Sequence, residues 1–177
     1  MVTLEKAEKI IIIAIVCVFL LMLLSVFQNA VHHYAKEGEK IPQFKIFDLQ
    51  EKILTNEDFK RQVVLINFWT SWCPPCIKEM PSLVEFYQKY NGKGITVLLV
   101  NVGESIESIE KFMKDSNYNV KAYRDSSGEV AKNFGTFKYP ESFIVDKNGI
   151  MRKKVIGEIN WMEENVVHYV EGLAKEQ

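Results

Sequence analysis

The sequence predicts an α/β domain with a central mixed sheet flanked by helices, preceded by one N-terminal transmembrane helix. Three observations predict it. The chain begins with a long apolar segment, continues with two unbroken β-favouring runs separated by a helical pattern, and ends with a hairpin signal and a further helix. Buried apolar strands that alternate with helices are typical of sheets with a parallel part.

The N-terminal apolar segment runs from Ile10 to Phe27 without a charged residue or a proline. As a helix it would be about 27 Å long, close to the hydrocarbon thickness of a bilayer. The residues after it lack the small-residue pattern of a signal-cleavage site, so we expect an uncleaved anchor. We therefore divide the chain into a cytoplasmic tail (1–9), a transmembrane anchor (10–28), a tether (29–40) and a folded domain (41–177).

The positive charges on the two sides of this segment are nearly balanced, since Lys6 and Lys9 precede it and Lys36 and Lys40 follow it. The positive-inside rule therefore hardly favours either orientation. A short N-terminal tail usually stays inside while the domain behind it is exported. We therefore expect a single-pass protein of the cell membrane with its domain on the extracytoplasmic side.

The first half of the domain is predicted from its apolar patterns. Phe44–Leu49 alternates as a strand does, Ile53–Leu54 can pair with it, and Thr55 with Asp58 predicts a helical turn. An unbroken run is typical of a central strand covered on both faces. Such runs occupy Val63–Trp69 and Ile95–Val102, and they flank a helix with one apolar stripe from about Cys73 to Tyr90.

The second half continues the alternation. Ser105 caps a further helix, and Asn148-Gly149 is a strong hairpin signal. The remaining predicted elements are a strand at Val120–Tyr123, a helix at Gly128–Phe134, strands at Glu141–Asp146 and Ile150–Ile156, and a helix from Asn160 to about Lys175.

Charge and cysteine content exclude several classes of protein. Lys and Arg total 22 against 23 Asp and Glu, so the net charge is −1. The chain therefore lacks the excess of basic residues that is typical of nucleic-acid-binding proteins. The cysteines, Cys17, Cys73 and Cys76, are too few for a disulfide framework, and Cys17 lies inside the apolar segment. Only the last two suggest chemistry.

Cys73 and Cys76, separated by two prolines, lie between a buried strand and the helix after it. One helical turn brings positions i and i+3 together, and a helix N terminus favours the thiolate. We assign Cys73 as an exposed nucleophile and Cys76 as a buried resolving thiol. A structural disulfide and half of a zinc site are the alternatives. So short a loop gains little stability from a bridge, and no second ligand pair completes a zinc site.

The stretch NFWTSWCPPC (67–76), followed by Glu79-Met80-Pro81, resembles the active site of the TlpA/ResA-like branch of the thioredoxin superfamily. The resemblance extends from about Ile41 to the C terminus. Tyr139-Pro140-Glu141-Ser142-Phe143 fits the place of the family's cis-proline loop and is similar to cytochrome c maturation members. The extra helix and strand between Val102 and Gly128 also resemble this branch.

The resemblance implies a thioredoxin-like fold with this helix–strand insertion, and a protein thiol–disulfide oxidoreductase. It implies protein disulfide substrates such as apocytochrome c or another exported protein, including those of sporulation. An outward-facing reductase would need an integral-membrane thiol electron donor, and we expect no bound cofactor or metal because two sulfurs carry the electrons. The expected substrate-binding residues are Trp72, Pro74, Pro75, Tyr139 and Pro140, the last in a cis peptide bond. Tyr139 departs from the small or β-branched residue that is common before this proline.

Glu79 is the third expected catalytic residue. It follows Cys76 by three positions, the family has an active-site acid here, and burial near thiols would raise its pKa enough for it to accept their protons. The alternative is a solvated helix glutamate. Asn67 occupies the position where thioredoxins proper carry a buried acid, which makes Glu79 the more plausible replacement.

Two other functions remain open at this stage. A disulfide-forming oxidase would differ from a reductase in its reduction potential, about −120 mV against about −270 mV. A copper chaperone of similar fold could bind Cu(I) through thiolates. Such proteins space their cysteines further apart and add a late histidine, whereas His32, His33 and His168 are dispersed. The reductase is the leading hypothesis.

Overall fold

The structure is a computed structural model that describes residues 2–30 and 34–176. It divides into two compact units, Met1–His33 and Tyr34–Gln177. Residues 31–33, which include His32, His33 and part of the expected tether, lie outside the described residues, as do Met1 and Gln177.

The first unit consists of helix α1, Val2–Ala30. Within it, Glu8–Ser25 is long and apolar enough to cross a membrane, and none of this window is buried. Leu, Ile, Val and Phe side chains that are left uncovered by protein require an apolar surrounding. The helix therefore suggests a membrane anchor.

The second unit is built on a seven-stranded sheet. The strands are β1 (Lys45–Asp48), β2 (Ile53–Thr55), β3 (Val63–Trp69), β4 (Ile95–Val102), β5 (Ala122–Asp125), β6 (Glu141–Val145) and β7 (Met151–Ile156). Their order in the sheet is β2-β1-β5-β4-β3-β6-β7. Strands β3, β4 and β5 are parallel, whereas β1 runs antiparallel to β2 and β5, and β6 runs antiparallel to β3 and β7.

Four helices and one short turn complete this unit. They are a 3-10 turn (Asn56–Phe59), α2 (Pro74–Tyr90), α3 (Ile106–Asp115), α4 (Glu129–Asn133) and α5 (Glu164–Lys175). Ser105 caps α3 by accepting a hydrogen bond from the Ser108 amide at 3.2 Å, as predicted. Helix α3 and strand β5 form the expected insertion. This connectivity confirms the predicted thioredoxin-like α/β fold.

Alternate residues of β3 supply two separate cores, because successive side chains of a strand point to opposite faces. Val63, Leu65 and Trp69 pack on the face that α2, α3 and α5 cover. Val64, Ile66 and Phe68 pack on the other face, against α4 and the segment before β1. By this alternation Asn67 faces α2, which carries the two cysteines.

Two predicted elements are displaced in the structure. Strand β5 begins at Ala122 rather than Val120, and α5 begins at Glu164 rather than Asn160. The prediction for α5 was wrong because the Asn160 side chain accepts from the Met162 amide at 3.0 Å, while the Trp161 amide donates to Ser82 Oγ at 3.1 Å. These bonds hold a turn where the periodicity predicted a helix.

The last part of the expected tether packs on the domain. The Gly38 amide donates to the Met151 carbonyl at 2.8 Å, the Ile41 amide donates to the Gly149 carbonyl at 3.0 Å, and Lys40 forms an isolated bridge with Ile150. These residues belong to the compact second unit, Tyr34–Gln177.

Candidate active site

Cys73 and Cys76 form a disulfide at the N terminus of α2, with their Cα atoms 5.2 Å apart. Cys73 is the N-cap residue, and its Sγ accepts a hydrogen bond from the Cys76 amide at 3.3 Å. Pro74 and Pro75 occupy the first two helical positions, where a missing N–H costs no helical bond. Both sulfurs therefore lie at the N-terminal end of the helix, where the electrostatic potential of the helix is most positive.

Cys76 is buried, as predicted, whereas the exposure of Cys73 differs from the prediction. Cys73 is only 5 % exposed and Cys76 is fully buried, so the expectation of an exposed Cys73 is wrong for the disulfide state. The reason is packing, since both residues belong to the apolar cluster between β3 and α2. Their exposed neighbours along the chain are Trp72, at 67 %, Pro74 and Ile77.

The Tyr139–Pro140 peptide bond is cis, as predicted. Pro140 is buried at the start of β6 and Tyr139 is half-buried. Strand β6 pairs with β3, so this bond lies beside the strand end that leads to the cysteines. The Tyr139 ring meets the Trp72 ring edge to face, with centroids 6.5 Å apart. The structure therefore brings these two expected substrate-binding residues together, whereas Trp69 is buried against Phe112.

Glu79 is buried on α2, only 3 % exposed, which excludes a solvated helix glutamate. Oε1 accepts a hydrogen bond from Asn67 Nδ2 at 2.7 Å. Oε2 accepts from the Ile159 amide and from Trp161 Nε1, each at 3.3 Å. Loss of hydration raises the Glu79 pKa to about 7, while these three donors stabilise the carboxylate and oppose the rise. Desolvation is the larger effect.

Asn67 links Glu79 to the strand that follows the cis-proline. Its Nδ2 also donates to Ser142 Oγ at 2.8 Å, while its Oδ1 lies buried without a partner among the described residues. Asn67 and Ser142 are directly opposed in the β3–β6 register. The amide that replaces the usual buried acid therefore serves as a donor to Glu79.

Sequence reasoning missed Ser142 and Trp161 as neighbours of Glu79. The sequence indicates Ser142 only as part of a motif, and its periodicity predicts Trp161 inside the terminal helix. No local pattern indicates either contact, because Trp161 lies 82 positions from Glu79 along the chain. Within residues 2–30 and 34–176, no group of three or more His, Cys, Asp or Glu is arranged to hold a metal ion.

The site therefore combines a reversible disulfide, a helix N terminus and a buried carboxyl group with a pKa near neutrality. The disulfide can exchange with an external dithiol or disulfide, and the carboxyl group can take up or release a proton at physiological pH.

Comparison with known proteins places the chain among thiol–disulfide oxidoreductases. Residues 38–154 match the model of the AhpC/TSA family. The thiol-disulfide oxidoreductase ResA of Bacillus thuringiensis subsp. konkukian is 36 % identical over 121 residues, 68 % of this chain and 70 % of that protein. The ResA protein of Bacillus subtilis is 32 % identical over 139 residues, 78 % of this chain and 76 % of that protein.

A solved structure gives the same result. The putative thiol:disulfide interchange protein DsbE from Chlorobium tepidum superposes with a TM-score of 0.71 at 25 % identity. The superposition covers 79 % of this chain and 99 % of that one.

Proposed function

The chain belongs to the AhpC/TSA family as a ResA-like thiol–disulfide oxidoreductase with a Cys73–Cys76 pair, and from this premise we propose that it reduces disulfides in exported proteins outside the cytoplasm. The observation that carries the proposal is the Cys73–Cys76 disulfide at the N terminus of α2, one turn before the buried Glu79.

The proposed cycle begins when the Cys73 thiolate attacks one sulfur of a substrate disulfide. A bond forms between that sulfur and Cys73 Sγ, and the second substrate sulfur leaves with the bonding pair and takes up a proton. Cys76, after losing its proton, attacks Cys73 Sγ. The mixed disulfide breaks, the first substrate sulfur leaves and is protonated, and the Cys73–Cys76 bond re-forms. Two electrons and two protons have passed to the substrate.

In this cycle Glu79 accepts the proton of Cys76. The two residues lie one turn apart on the buried face of α2, and a pKa of about 7 leaves roughly half of the carboxyl groups ionised at neutral pH. Glu79 also lines an open cleft of about 660 Å³ with Ser82, Glu85 and Glu158. This cleft supplies a route by which the proton can reach solvent.

The proposed substrate surface surrounds the disulfide. Trp72 and Tyr139 form its aromatic edges, and Pro74 and Pro75 flank the sulfurs. The Pro140 carbonyl already accepts a hydrogen bond from the Gly157 amide at 2.9 Å, whereas the Tyr139 backbone makes no such bond with the described part of the chain. An extended substrate segment can therefore pair with the Tyr139 backbone beside Cys73.

The proposed attachment to the membrane is supported by α1, whose apolar window suggests an anchor, and the extracytoplasmic side of the domain is part of the proposal. A domain outside the cytoplasm has no direct access to cytoplasmic reductants, so an integral-membrane thiol protein would have to reduce the Cys73–Cys76 disulfide. Apocytochrome c is the proposed substrate class, because Pro140-Glu141-Ser142-Phe143 is similar to the same stretch of cytochrome c maturation members.

Trapping tests this function. The full-length Cys76→Ala chain, expressed in its membrane, should accumulate mixed disulfides with exported proteins through Cys73, and mass spectrometry should identify apocytochrome c among them. Cys73→Ala is the matched control and should trap none. Equal trapping by both variants would contradict the assigned roles.

A second measurement separates reductase from oxidase. Equilibration of the purified full chain with glutathione buffers should give a reduction potential nearer to about −270 mV than to about −120 mV. A value at the oxidising end would overturn the proposed direction of electron flow.

A further inference from the structure

The Glu104 carboxylate, in the loop between β4 and α3, bonds to the loop that leads into the cysteines. Its Oε2 accepts a hydrogen bond from the Ser71 amide at 2.7 Å, and its Oε1 accepts from Ser71 Oγ at 2.5 Å. Asn101, the penultimate residue of β4, donates from Nδ2 to Oε2 at 2.6 Å. Three donors thus converge on one half-buried side chain.

The register of the sheet explains why these groups meet. Strands β3 and β4 run parallel, and Trp69 pairs with Asn101 in their last register position. The chain leaves β3 at Thr70 and leaves β4 just before Glu104, so the two loops start side by side. The Thr70 carbonyl accepts from the Cys73 amide at 3.4 Å, which makes residues 70–73 a tight turn with Ser71 near its centre.

The side chain that this turn presents is Trp72. It is 67 % exposed and its described ring contact is with Tyr139. So exposed a side chain has little packing of its own to hold it, and its position therefore depends on the backbone at Ser71. Hydrogen bonds to a charged acceptor are among the stronger ones in proteins, and here two of the three join Glu104 to Ser71.

We propose that Glu104 is a positioning residue, whose carboxylate holds the Ser71 turn so that Trp72 stands beside Tyr139 as a preformed edge for protein substrates. This inference rests on the proposed reductase function for its substrate. It assigns to Glu104 an effect on docking and none on the chemistry of the sulfurs.

The donor pattern supplies a conservative variant. In Glu104→Gln the amide oxygen can take the place of Oε2 and accept from the Ser71 amide and from Asn101, while the new NH₂ group donates to Ser71 Oγ. The three bonds are kept and the charge is lost. Glu104→Ala removes all three bonds, and Glu110→Ala, on an exposed position of α3, is the matched control.

The experiment uses the full chain in detergent with dithiothreitol as reductant. Insulin is the protein substrate and glutathione disulfide is the small one. For Glu104→Ala, the KM for insulin should rise about tenfold with kcat little changed, because a displaced contact lowers productive docking. Its rate with glutathione disulfide should change by less than about twofold, since a small substrate does not need to contact Trp72 and Tyr139. Glu104→Gln should restore the insulin KM, and Glu110→Ala should match the wild type.

A spectroscopic measurement makes the inference independent of turnover. Trp69 and Trp161 are fully buried, so Trp fluorescence that acrylamide quenches comes mainly from Trp72. The fluorescence anisotropy of Trp72 should fall in Glu104→Ala, because the side chain is then held less firmly, and it should recover in Glu104→Gln. If Glu104→Ala does not fold, Ser71→Ala, which loses only the hydroxyl bond, should raise the insulin KM about threefold.

Three results would overturn the inference. They are unchanged Trp72 anisotropy in Glu104→Ala, an equal loss with insulin and glutathione disulfide, and a Glu104→Gln variant as impaired as Glu104→Ala. A chain that reduces neither substrate would instead remove the proposed reductase function, and the anisotropy would still decide the role of Glu104.

Discussion

Asn67 donates a hydrogen bond to Glu79 across 2.7 Å, and this bond joins the central strand to the buried face of the cysteine helix. It stabilises the ionised carboxylate in a place where burial favours the protonated form. The pKa of about 7 is the balance between these opposing effects. Both the stability and the activity of the protein should therefore depend on pH through Glu79.

The first prediction concerns the pH dependence of stability. The Glu79 pKa is 4.5 in the unfolded chain and about 7 in the folded protein. Between these pH values the native state therefore holds a proton that the unfolded state has lost. The free energy of unfolding should therefore fall as the pH rises through this window. Relative to Glu79→Gln, the wild type should lose up to about 3 kcal/mol by pH 8, measured by denaturation in detergent.

The exposed Glu85, which lines the same cleft, supplies the control for this measurement. Glu85→Gln should follow the pH dependence of the wild type. A stability difference between wild type and Glu79→Gln that stays constant from pH 4.5 to pH 8 would show that Glu79 ionises normally in the fold.

The second prediction concerns activity. Removing the Asn67 donor in Asn67→Ala eliminates a bond that lowers the Glu79 pKa, so the pKa should rise. The limb of the pH–rate profile for insulin reduction that depends on Glu79 should therefore shift to higher pH by about one unit. Ser142→Ala removes only the second hydrogen-bond partner of Asn67, so this limb should shift much less. A downward shift would show that the Asn67 bond does not stabilise the carboxylate.

Local pattern was sufficient for some parts of this fold and insufficient for others. The bounds of β3 and β4 agree with the prediction to the residue, because both strands are covered on two faces and each apolar run is flanked by a polar residue or a glycine. The Cys73–Cys76 geometry was also predictable, since it depends only on one helical turn. The start of α5 was not, because a side-chain turn at Asn160 competes with helical hydrogen bonds.

The surroundings of the sulfurs required the tertiary structure. Helical spacing placed Glu79 near Cys76, but its donors come from β3 and from the loop before α5. The burial of Cys73 likewise depends on packing against side chains that are distant in sequence. An N-cap position is usually exposed, and no pattern in the sequence marks this one as covered.

The third prediction concerns a buried ion pair behind the cis-proline. Glu141 is fully buried, and its Oε2 lies 3.0 Å from Lys154 Nζ, which also donates to the Gly135 carbonyl at 2.8 Å. Lys154→Met would leave a buried charge without its partner, which typically costs about 3–5 kcal/mol. Urea denaturation of the full chain should show a loss of this size. Glu141→Gln in the same chain should recover part of it.

An exposed ion pair provides the comparison. Lys78 pairs with Glu158, and the Lys78 side chain is 75 % exposed. Lys78→Met should therefore cost less than about 1 kcal/mol. Similar losses of unfolding free energy for Lys78→Met and Lys154→Met would mean that burial does not increase the contribution of the Glu141–Lys154 ion pair to stability.

The fourth prediction compares two glycines with left-handed backbone. Gly135 has a φ of +70° and Gly149 a φ of +77°, so alanine at either position should cost about 1 kcal/mol. A Cβ at Gly149 would meet open space, whereas at Gly135 it would lie 3.0 Å from Tyr34 Cβ. Gly135→Ala should therefore destabilise the chain by about 1 kcal/mol more than Gly149→Ala, because the Tyr34 side chain must move.

A double-mutant cycle isolates this contact. In a Tyr34→Gly background, which lacks the Tyr34 Cβ as well as the ring, the obstruction is gone, and Gly135→Ala should then cost no more than Gly149→Ala does. Only the backbone penalty would remain at both positions. If Gly135→Ala keeps its extra cost without the Tyr34 side chain, the strain lies in the turn that precedes Tyr139–Pro140 and not in the packing of Tyr34 against it.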